Sequence, residues 1–465
     1  MAVASGANSG EGARAAIAAA RRCLGEAEAA LRAADLPAAE EACRTGLATR
    51  PSSVDLHLKL GEVLAAAARV EEALIPLQAA REIAPGRPDG ARLLSACLHD
   101  LGREDEARAV AQAFFAAHPY RPPEDGPRDG QAPTILRVRG LERASFTLGR
   151  LRNGEVEIGF NGGHFSLQYL INWSSWRVLT GYVVGDNWIA KPPTSAVRLL
   201  VNTIADPDRE GAALTGLAHF AQAHPDMAII NQPDRVLRTG RQETAALVAA
   251  RDGFVAPKIV RIPVAGRTVA GSLEALDAAD IGYPAIFRET GTQTARTVEL
   301  IADRDAAARY LAGVSTPEIY AIPFIENADA EGWYTKRRLF FIDGVPYPVV
   351  THTDKVWNVH GGNRRTVMAQ YDWMLRREQD FLRDPKAALG ADAYAALSKL
   401  PEATGLDFFG IDFTLLPDGR ILFFEMNAAM RHSFDHAKRF AYMKPHMQQI
   451  SDAFDSMCRR RAGVV

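Results

Sequence analysis

The chain has 465 residues, with 54 basic and 56 acidic side chains and a net charge of -2, which is long enough for two or three domains with a full core in each. So even a balance supplies no electrostatic footprint for nucleic acid, and no apolar run approaches the ~20 residues of a membrane span. The four cysteines, Cys23, Cys43, Cys97 and Cys458, lack any C-x-x-C spacing, which argues against a zinc knuckle or a disulfide framework and for free thiols in a reducing compartment.

The Ala-rich N-terminus is broken by Glu11, Arg14, Arg21 and Arg22, unlike a secretory signal, and a cytoplasmic protein is expected. The first quarter repeats with a period of 34: Pro51, Pro85 and Pro119 recur at that interval, as do Ala39, Ala73 and Ala107, and Leu60 is matched by Leu94. Gly61 and Ala68 put small residues where two helices must approach closely. This pattern resembles the tetratricopeptide repeat, a helix-turn-helix unit. The resemblance implies about three repeats within an all-α domain over residues 14–119, stacked into a solenoid whose concave face recruits a peptide or protein.

Residues 120–133, rich in Pro and Gly, cannot continue a helix and are expected to be a linker. Beyond them the texture changes. Strand-like runs at Thr134 to Val138, Val197 to Val201 and Met227 to Ile230, with a helix-like stretch from Glu210 to Ala223, predict an α/β domain over residues 134–262. A second mixed section of α and β follows over residues 263–455.

Within it, Ile281 to Arg288 reads as a strand ending in a cation, followed by a loop that begins Glu289-Thr290-Gly291-Thr292. Backbone amides of such a loop can fold over phosphates while Arg288 neutralises them. Upstream, Asn231-Gln232-Pro233 forms a turn after an apolar strand, and Arg241 follows near a helix start. Downstream, Ile322-Pro323-Phe324-Ile325 ends in Glu326, and a second hairpin carries Lys336, Arg337 and Arg338 ahead of Asp343-Gly344. His352, Asp354, Lys355, Trp357 and His360 come next, where one side of a cleft and an exposed loop are equally good readings.

The most telling segment is Gly410 to Asn427, two strand-like runs about the dipeptide Asp418-Gly419. A two-residue loop there, which Asp-Gly favours, sets Asp412 directly opposite Glu425, with Asn427 on the same face. Opposed carboxylates ~5 Å apart repel, so something positive must sit between them. A hard cation with oxygen ligands, held by carboxylates and nucleotide phosphates, fits best, and an exposed hairpin whose polar face happens to be acidic is the other reading.

The order of these parts resembles the ATP-grasp superfamily, the fold of glutathione synthetase and D-alanine:D-alanine ligase, over residues from about 228 to 450. The resemblance implies an α/β pre-ATP-grasp domain followed by an α+β ATP-grasp domain, with ATP and Mg²⁺ bound. It implies Asp412, Glu425 and Asn427 as metal ligands, and Arg241 and Arg288 as phosphate-binding cations above the loop Thr290, Gly291 and Thr292. Ile322, Pro323, Phe324 and Ile325 become the adenine hinge, Glu326 the ribose ligand, and Lys336 and Arg338 the catalytic cations at the transferred phosphoryl group.

Three features depart from the family pattern: Arg241 and Arg288 stand where Lys is usual, the loop has one Gly, and Asn427 leads into Ala428-Ala429-Met430-Arg431. Arg nonetheless binds phosphate, and bidentately. The implied activity is a carboxylate-amine (or thiol) ligase working through an acylphosphate, with a peptide or protein recruited by the repeats as one substrate. A catalytically weakened nucleotide-binding scaffold and a phosphotransferase on the same fold are the alternatives. His432 and His436 lie four apart as helical zinc ligands do, but have no clear third ligand.

Overall fold

A computed structural model describes residues 6–121, 132–151, 155–186, 197–291, 297–428 and 430–464. Thr292 and most of the expected linker lie outside these residues. The chain divides into two compact units, one of Met1–Arg121, Gly140–Gly162 and Gly181–Gly185, the other of Pro122–Arg139, Gly163–Thr180 and Asp186–Val465. Residues 140–162 thus fold with the helices, while most of 134–262 shares a unit with 263–455. Among the described residues no helix is long and apolar enough to cross a membrane.

The first unit begins with six helices, α1 (Gly6–Arg32), α2 (Leu36–Thr49), α3 (Val54–Ala66), α4 (Val70–Ile83), α5 (Pro88–Asp100) and α6 (Glu104–Ala117). The 34-residue period is present in the backbone. Ala34, Ala68 and Gly102 take left-handed φ values of 59°, 62° and 74°. The amides that follow, of Asp35, Arg69 and Arg103, donate to the carbonyls of Ala30, Leu64 and Leu98 at 2.9 Å each. This is a helix-terminating turn used three times in register. Gly61 is required for close approach, since a Cβ there would lie 2.5 Å from Leu77.

After β1 (Tyr120–Arg121) and β2 (Thr134–Gly140) comes a hairpin of β3 (Ser145–Arg150) and β4 (Val156–Asn161). Its Leu148, Val156 and Ile158 pack on the core that holds Leu60, Leu64, Leu94 and Cys97. Arg150 fastens it, donating from Nε to the Ala65 carbonyl at 2.9 Å and from Nη2 to Asp100 at 2.6 Å. The chain's own hairpin therefore covers apolar surface of α3 and α5. Burial explains why, because an apolar face left bare in water is unfavourable and the nearest apolar hairpin removes it.

Further along are β5 (Arg177–Val183), β6 (Val197–Asn202), α7 (Pro207–Ala223), β7 (Ile229–Ile230), α8 (Pro233–Val236), α9 (Arg241–Ala249), β8 (Phe254–Val255), β9 (Val260–Pro263) and α10 (Val269–Ala278). In the second unit β2, β6 and β7 pair in parallel, with α7 as a crossover. Asn231, at φ 58°, is buried and ties the end of β7 to residues 407–408: its Nδ2 donates to the Phe408 carbonyl at 2.7 Å and its Oδ1 accepts from the Phe408 amide at 2.9 Å.

The chain continues through β10 (Ala285–Glu289), β11 (Glu299–Ile301), α11 (Arg304–Gly313), β12 (Glu318–Pro323), β13 (Tyr334–Ile342) and β14 (Val345–Asp354). It ends with α12 (Asp372–Arg383), α13 (Pro385–Leu389), α14 (Ala391–Ser398), α15 (Leu400–Thr404), β15 (Phe408–Leu415), β16 (Ile421–Asn427) and α16 (Lys444–Arg461). One antiparallel sheet has the order β11-β10-β12-β9. Its Ala285, Phe287, Ile319 and Ala321 form a core with Leu273, Leu276, Ala307 and Leu311 of α10 and α11. Side chains alternate along strands, so Ile286, Arg288 and Ile322 lie on the other face. A second sheet has the order β14-β13-β15-β16-β8.

Two Asp-Gly dipeptides in this second sheet behave differently. Asp343 and Gly344, at φ 50° and 81°, form a two-residue loop that pairs Ile342 with Val345, as type I′ requires. At Asp418-Gly419 that expectation fails: Leu416 donates to the Arg420 carbonyl at 2.8 Å, the Gly419 amide donates to the Leu416 carbonyl at 2.9 Å, and only Gly419 has positive φ. The loop has three residues because Pro417 is fixed at the φ of a type I turn and, as a strand residue, would supply no amide.

That change should shift the hairpin by one residue. A bulge at Phe424 shifts it back: Phe413 pairs with Phe423, yet Asp412 still pairs with Glu425.

Candidate functional site

Register places Arg338 of β13 opposite Asp412 of β15, and Asp412 opposite Glu425 of β16. A cation and two carboxylates thus form a row across three strands, and Lys336, two residues from Arg338, shares their face. Arg338 grips Asp412 with both arms of its guanidinium, Nε to Oδ1 at 2.6 Å and Nη2 to Oδ2 at 2.8 Å. Lys336 Nζ stands 3.4 Å from Oδ2. Arg241, the first residue of α9, meets Glu425 Oε2 at 2.6 Å, and Arg288 lies 4.0 Å from the same oxygen. Protein cations thus flank the opposed acids, Arg338 and Lys336 at Asp412 and Arg241 and Arg288 at Glu425.

Electrostatics follow from that packing. Burial opposes ionisation of Asp412, but Arg338 and Lys336 outweigh it and hold its carboxyl below the ordinary range. Glu425 is likewise held low: burial acts against it, Arg241 favours the charged form, and the Asp412 charge opposes. Arg288 shows where the balance fails, since burial and then Arg241 push its guanidinium down to about 10 despite Glu425. The cations in contact with these two carboxylates outnumber them, so the site has capacity for further negative charge.

A cavity of about 310 Å³ opens beside this row. Arg241, Arg288, Lys336, Arg338, Asp412 and Glu425 line its charged end, and Ile259, Ile286, Val298, Ile322 and Phe424 its apolar part. Pro323, Phe324 and Ile325 also line it, with Trp357, Asn358 and His360 near by; Phe324 and Trp357 meet edge to face at 5.8 Å. An apolar slot ending in convergent charges is the usual form of a small-ligand site. A second cavity of about 240 Å³ shares Arg241, Arg338 and Glu425 with the first and adds Gly291, Asn427, Asp206 and Arg431.

Most of the expected site residues therefore converge. Glu326 does not line either cavity: its carboxylate accepts from the Asn327 and Ala328 amides at 2.9 Å each and from the Tyr334 hydroxyl at 3.1 Å, while Asn327 and Tyr334 form the wall. A carboxylate with short backbone donors next to it in sequence is drawn to them before any ligand. Thr290 is turned the same way, its Oγ1 donating to the Glu318 carbonyl at 3.0 Å.

His352 is buried opposite Lys336, lines neither cavity, and is held neutral by burial and then by Lys336. His432 hydrogen-bonds Ser451 Oγ at 3.0 Å, and the His436 ring lies 5.9 Å from that of His352.

Sequence reasoning missed Pro257, Ile259 and Phe424 as cavity walls. Phe424 lines the cavity as the extra residue of the bulge, and an apolar residue in an apolar run gives no signal of that.

Asp412, Glu425 and Asn427 present only oxygen or amide donors on one strand face, as a hard cation prefers. Among the described residues no group of three His, Cys, Asp or Glu side chains converges, so a cation here would take its remaining ligands from bound phosphate and water. Each carboxylate has lone pairs beyond those its arginine uses.

No family model matches the chain, and no curated protein matches it. Among solved structures it is similar to D-alanine–D-alanine ligase from Bacillus anthracis complexed with ATP, at 10% identity and a TM-score of 0.42 over 71% of this chain and 99% of that one. A RimK domain protein ATP-grasp from Sphaerobacter thermophilus gives 13% identity and a TM-score of 0.37 over 69% and 99%. The ATP-grasp ligase PsnB complexed with precursor peptide PsnA2 and AMPPNP gives 13% and 0.33 over 56% and 77%. At these identities and TM-scores, the geometry of the site itself carries the functional reading.

Proposed function

We propose that the protein is an ATP-dependent ligase that activates a carboxylate as an acylphosphate and joins it to an amine or thiol. One observation carries this: Arg241, Arg288, Lys336 and Arg338 converge on the opposed pair Asp412 and Glu425 at the charged end of an apolar slot. Ile322 to Ile325 would meet a flat base, and the cations the triphosphate. Asp412, Glu425 and Asn427 would hold Mg²⁺, which neutralises phosphate charge when bound.

In the reaction, an oxygen of the substrate carboxylate attacks the γ-phosphorus and ADP leaves. The acceptor then attacks the acyl carbon and phosphate leaves. Arg338 and Lys336 stabilise charge spread over the transferring oxygens, so positioning and electrostatics suffice without a protein nucleophile. Arg241, Arg338 and Glu425 border both cavities, which supports reading the second as the seat of the carboxylate and acceptor. If a peptide is brought by the helical repeats, it binds outside the surface that β3 and β4 cover.

The test is ADP release from ATP with paired carboxylate and amine candidates, in the parent protein and in Glu425→Ala. Release that requires both substrates and disappears in Glu425→Ala is expected. Product mass then separates condensation from simple phosphorylation: a stable phosphorylated product with no joined species would make the protein a phosphotransferase.

A further inference from the structure

Arg337 lies between Lys336 and Arg338 on β13, so its side chain belongs to the opposite face of the sheet. There it faces Thr351 of β14 and Phe413 of β15, in a row that also sets Thr335 against Thr353. From α12, Arg377 reaches the same row. Its Nη1 donates to Thr335 Oγ1 at 3.3 Å, and its guanidinium carbon lies 4.7 Å from the centre of the Trp373 ring.

Among the described residues no acid pairs with either cation. Glu378 of α12 is fully enclosed and committed to Arg364, to the Tyr442 hydroxyl and to the Thr351 amide. Among the described residues Arg337 has no hydrogen-bond or ion-pair partner; its Nε is buried without one, and so is the hydroxyl of Thr351, a residue 0% exposed. Buried polar groups left unsatisfied, and cations left uncompensated, are costly, so an anion that reached both would be held.

The comparison with Arg288 is direct. Burial and a neighbouring arginine push both guanidiniums down to about 10, but Arg288 has Glu425 and Asp206 acting in its favour while Arg337 has no such acid.

We propose that Arg337, Arg377 and the Thr351 hydroxyl form an oxyanion site on the sheet face opposite Lys336 and Arg338, taking the phosphate or carboxylate group of a small ligand. Two planar guanidiniums beside a hydroxyl suit such a group, since each presents paired donors to its oxygens. Both arginines are half-buried and so partly reachable from solvent, whereas the Thr351 hydroxyl is enclosed.

The experiment is thermal unfolding at constant ionic strength, replacing chloride by inorganic phosphate or by acetate. It uses the parent chain, Arg337→Gln, Arg377→Gln, and an Arg241→Gln/Arg288→Gln variant that weakens the nucleotide cavity. Phosphate should raise the melting temperature of the parent and of Arg241→Gln/Arg288→Gln. Arg337→Gln should melt higher than the parent in chloride, having lost an unpaired cation, and the midpoint concentration of its phosphate response should rise at least tenfold.

A response to acetate equal to that of phosphate would assign a carboxylate ligand, and a response to phosphate alone a phosphate ligand. The proposal is overturned if the phosphate response of Arg337→Gln and Arg377→Gln equals that of the parent, or if it vanishes in Arg241→Gln/Arg288→Gln, which would place all the binding in the nucleotide cavity. Should Arg337→Gln not fold, Arg377→Gln decides alone. ADP release is not part of this readout, so the ligase reading stands or falls separately.

Discussion

Two arginine–carboxylate pairs in the second unit have the same chemistry and opposite settings. Arg364 and Glu378 are both 0% exposed and enclosed by Tyr442, Met443 and Phe440, with both Nη nitrogens of the arginine and both carboxylate oxygens used inside the protein. Arg338 and Asp412 are also largely buried, at 23% and 3%, but they border a cavity and have Lys336, Arg241 and Arg288 close by. A balanced, closed pair is a fastening; a pair beside unbalanced cations and open volume is a binding device. The distinction lies in charge surplus and access, since both pairs are guanidinium on carboxylate.

The sharpest way to break this comparison is at the closed pair. Arg364→Met strands a buried Glu378 and should cost about 3–5 kcal/mol in denaturant unfolding. Arg364→Met/Glu378→Leu should recover most of that loss, because no lone charge remains. If the single variant unfolds like the parent, the pair is no fastening.

At the open pair the loss should be in chemistry. Arg338→Ala should lower the rate of ADP release by about 10³, or ~4 kcal/mol of transition-state stabilisation. It should destabilise the protein less than Arg364→Met does, since Asp412 keeps Lys336 at 3.4 Å. Equal activity in the parent and in Arg338→Ala would remove the basis of the ligase reading.

The closed interior can also be probed by protons. His432 is buried, and burial pushes it from 6.5 down to about 4. Its folded value is the lower one, so the unfolded chain takes up the proton first. It costs nothing above about pH 6.5, and as pH falls towards 4 it removes stability, reaching about 3 kcal/mol in all. The acid limb of unfolding measured for His432→Asn should be flatter over that window.

The smallest effect is expected in the helical unit, where neither charge nor ligand is at issue. Ala68 occupies a left-handed conformation that Gly takes without strain, so Ala68→Gly should stabilise by about 1 kcal/mol in chemical denaturation. A loss of stability would mean that its methyl group packs.

Much of the second unit was legible because strand patterning is local. The runs at Val197, Glu210 and Met227 became β6, α7 and β7, and the cations of β13 and acids of β15 and β16 stand on one face by alternation alone. The pairing of Asp412 with Glu425 was anticipated from a two-residue turn that does not form; a longer loop and a compensating bulge arrive at the same pair. Pro417 carried the signal for the longer loop, and nothing in the run Ile421 to Glu425 announces the bulge.

Glu326 was less legible, because its fate depends on whether the next two amides curl back to it. The pairings of Arg364 with Glu378, of Arg377 with Thr335, and of the hairpin β3–β4 with α3 and α5 were not legible at all.

By itself, then, the amino-acid order determined whatever repeats over a few residues or one turn: the 34-residue helical period, the strand faces, and which residues on β13, β15 and β16 could look the same way. Tertiary structure alone decided which cation reached which carboxylate, which apolar face was covered, and which arginine was buried without an acid. Local order is set by backbone geometry and hydrogen bonding between near neighbours. Charge balance and burial are properties of residues brought together from distant parts of the chain, and no window of sequence contains them.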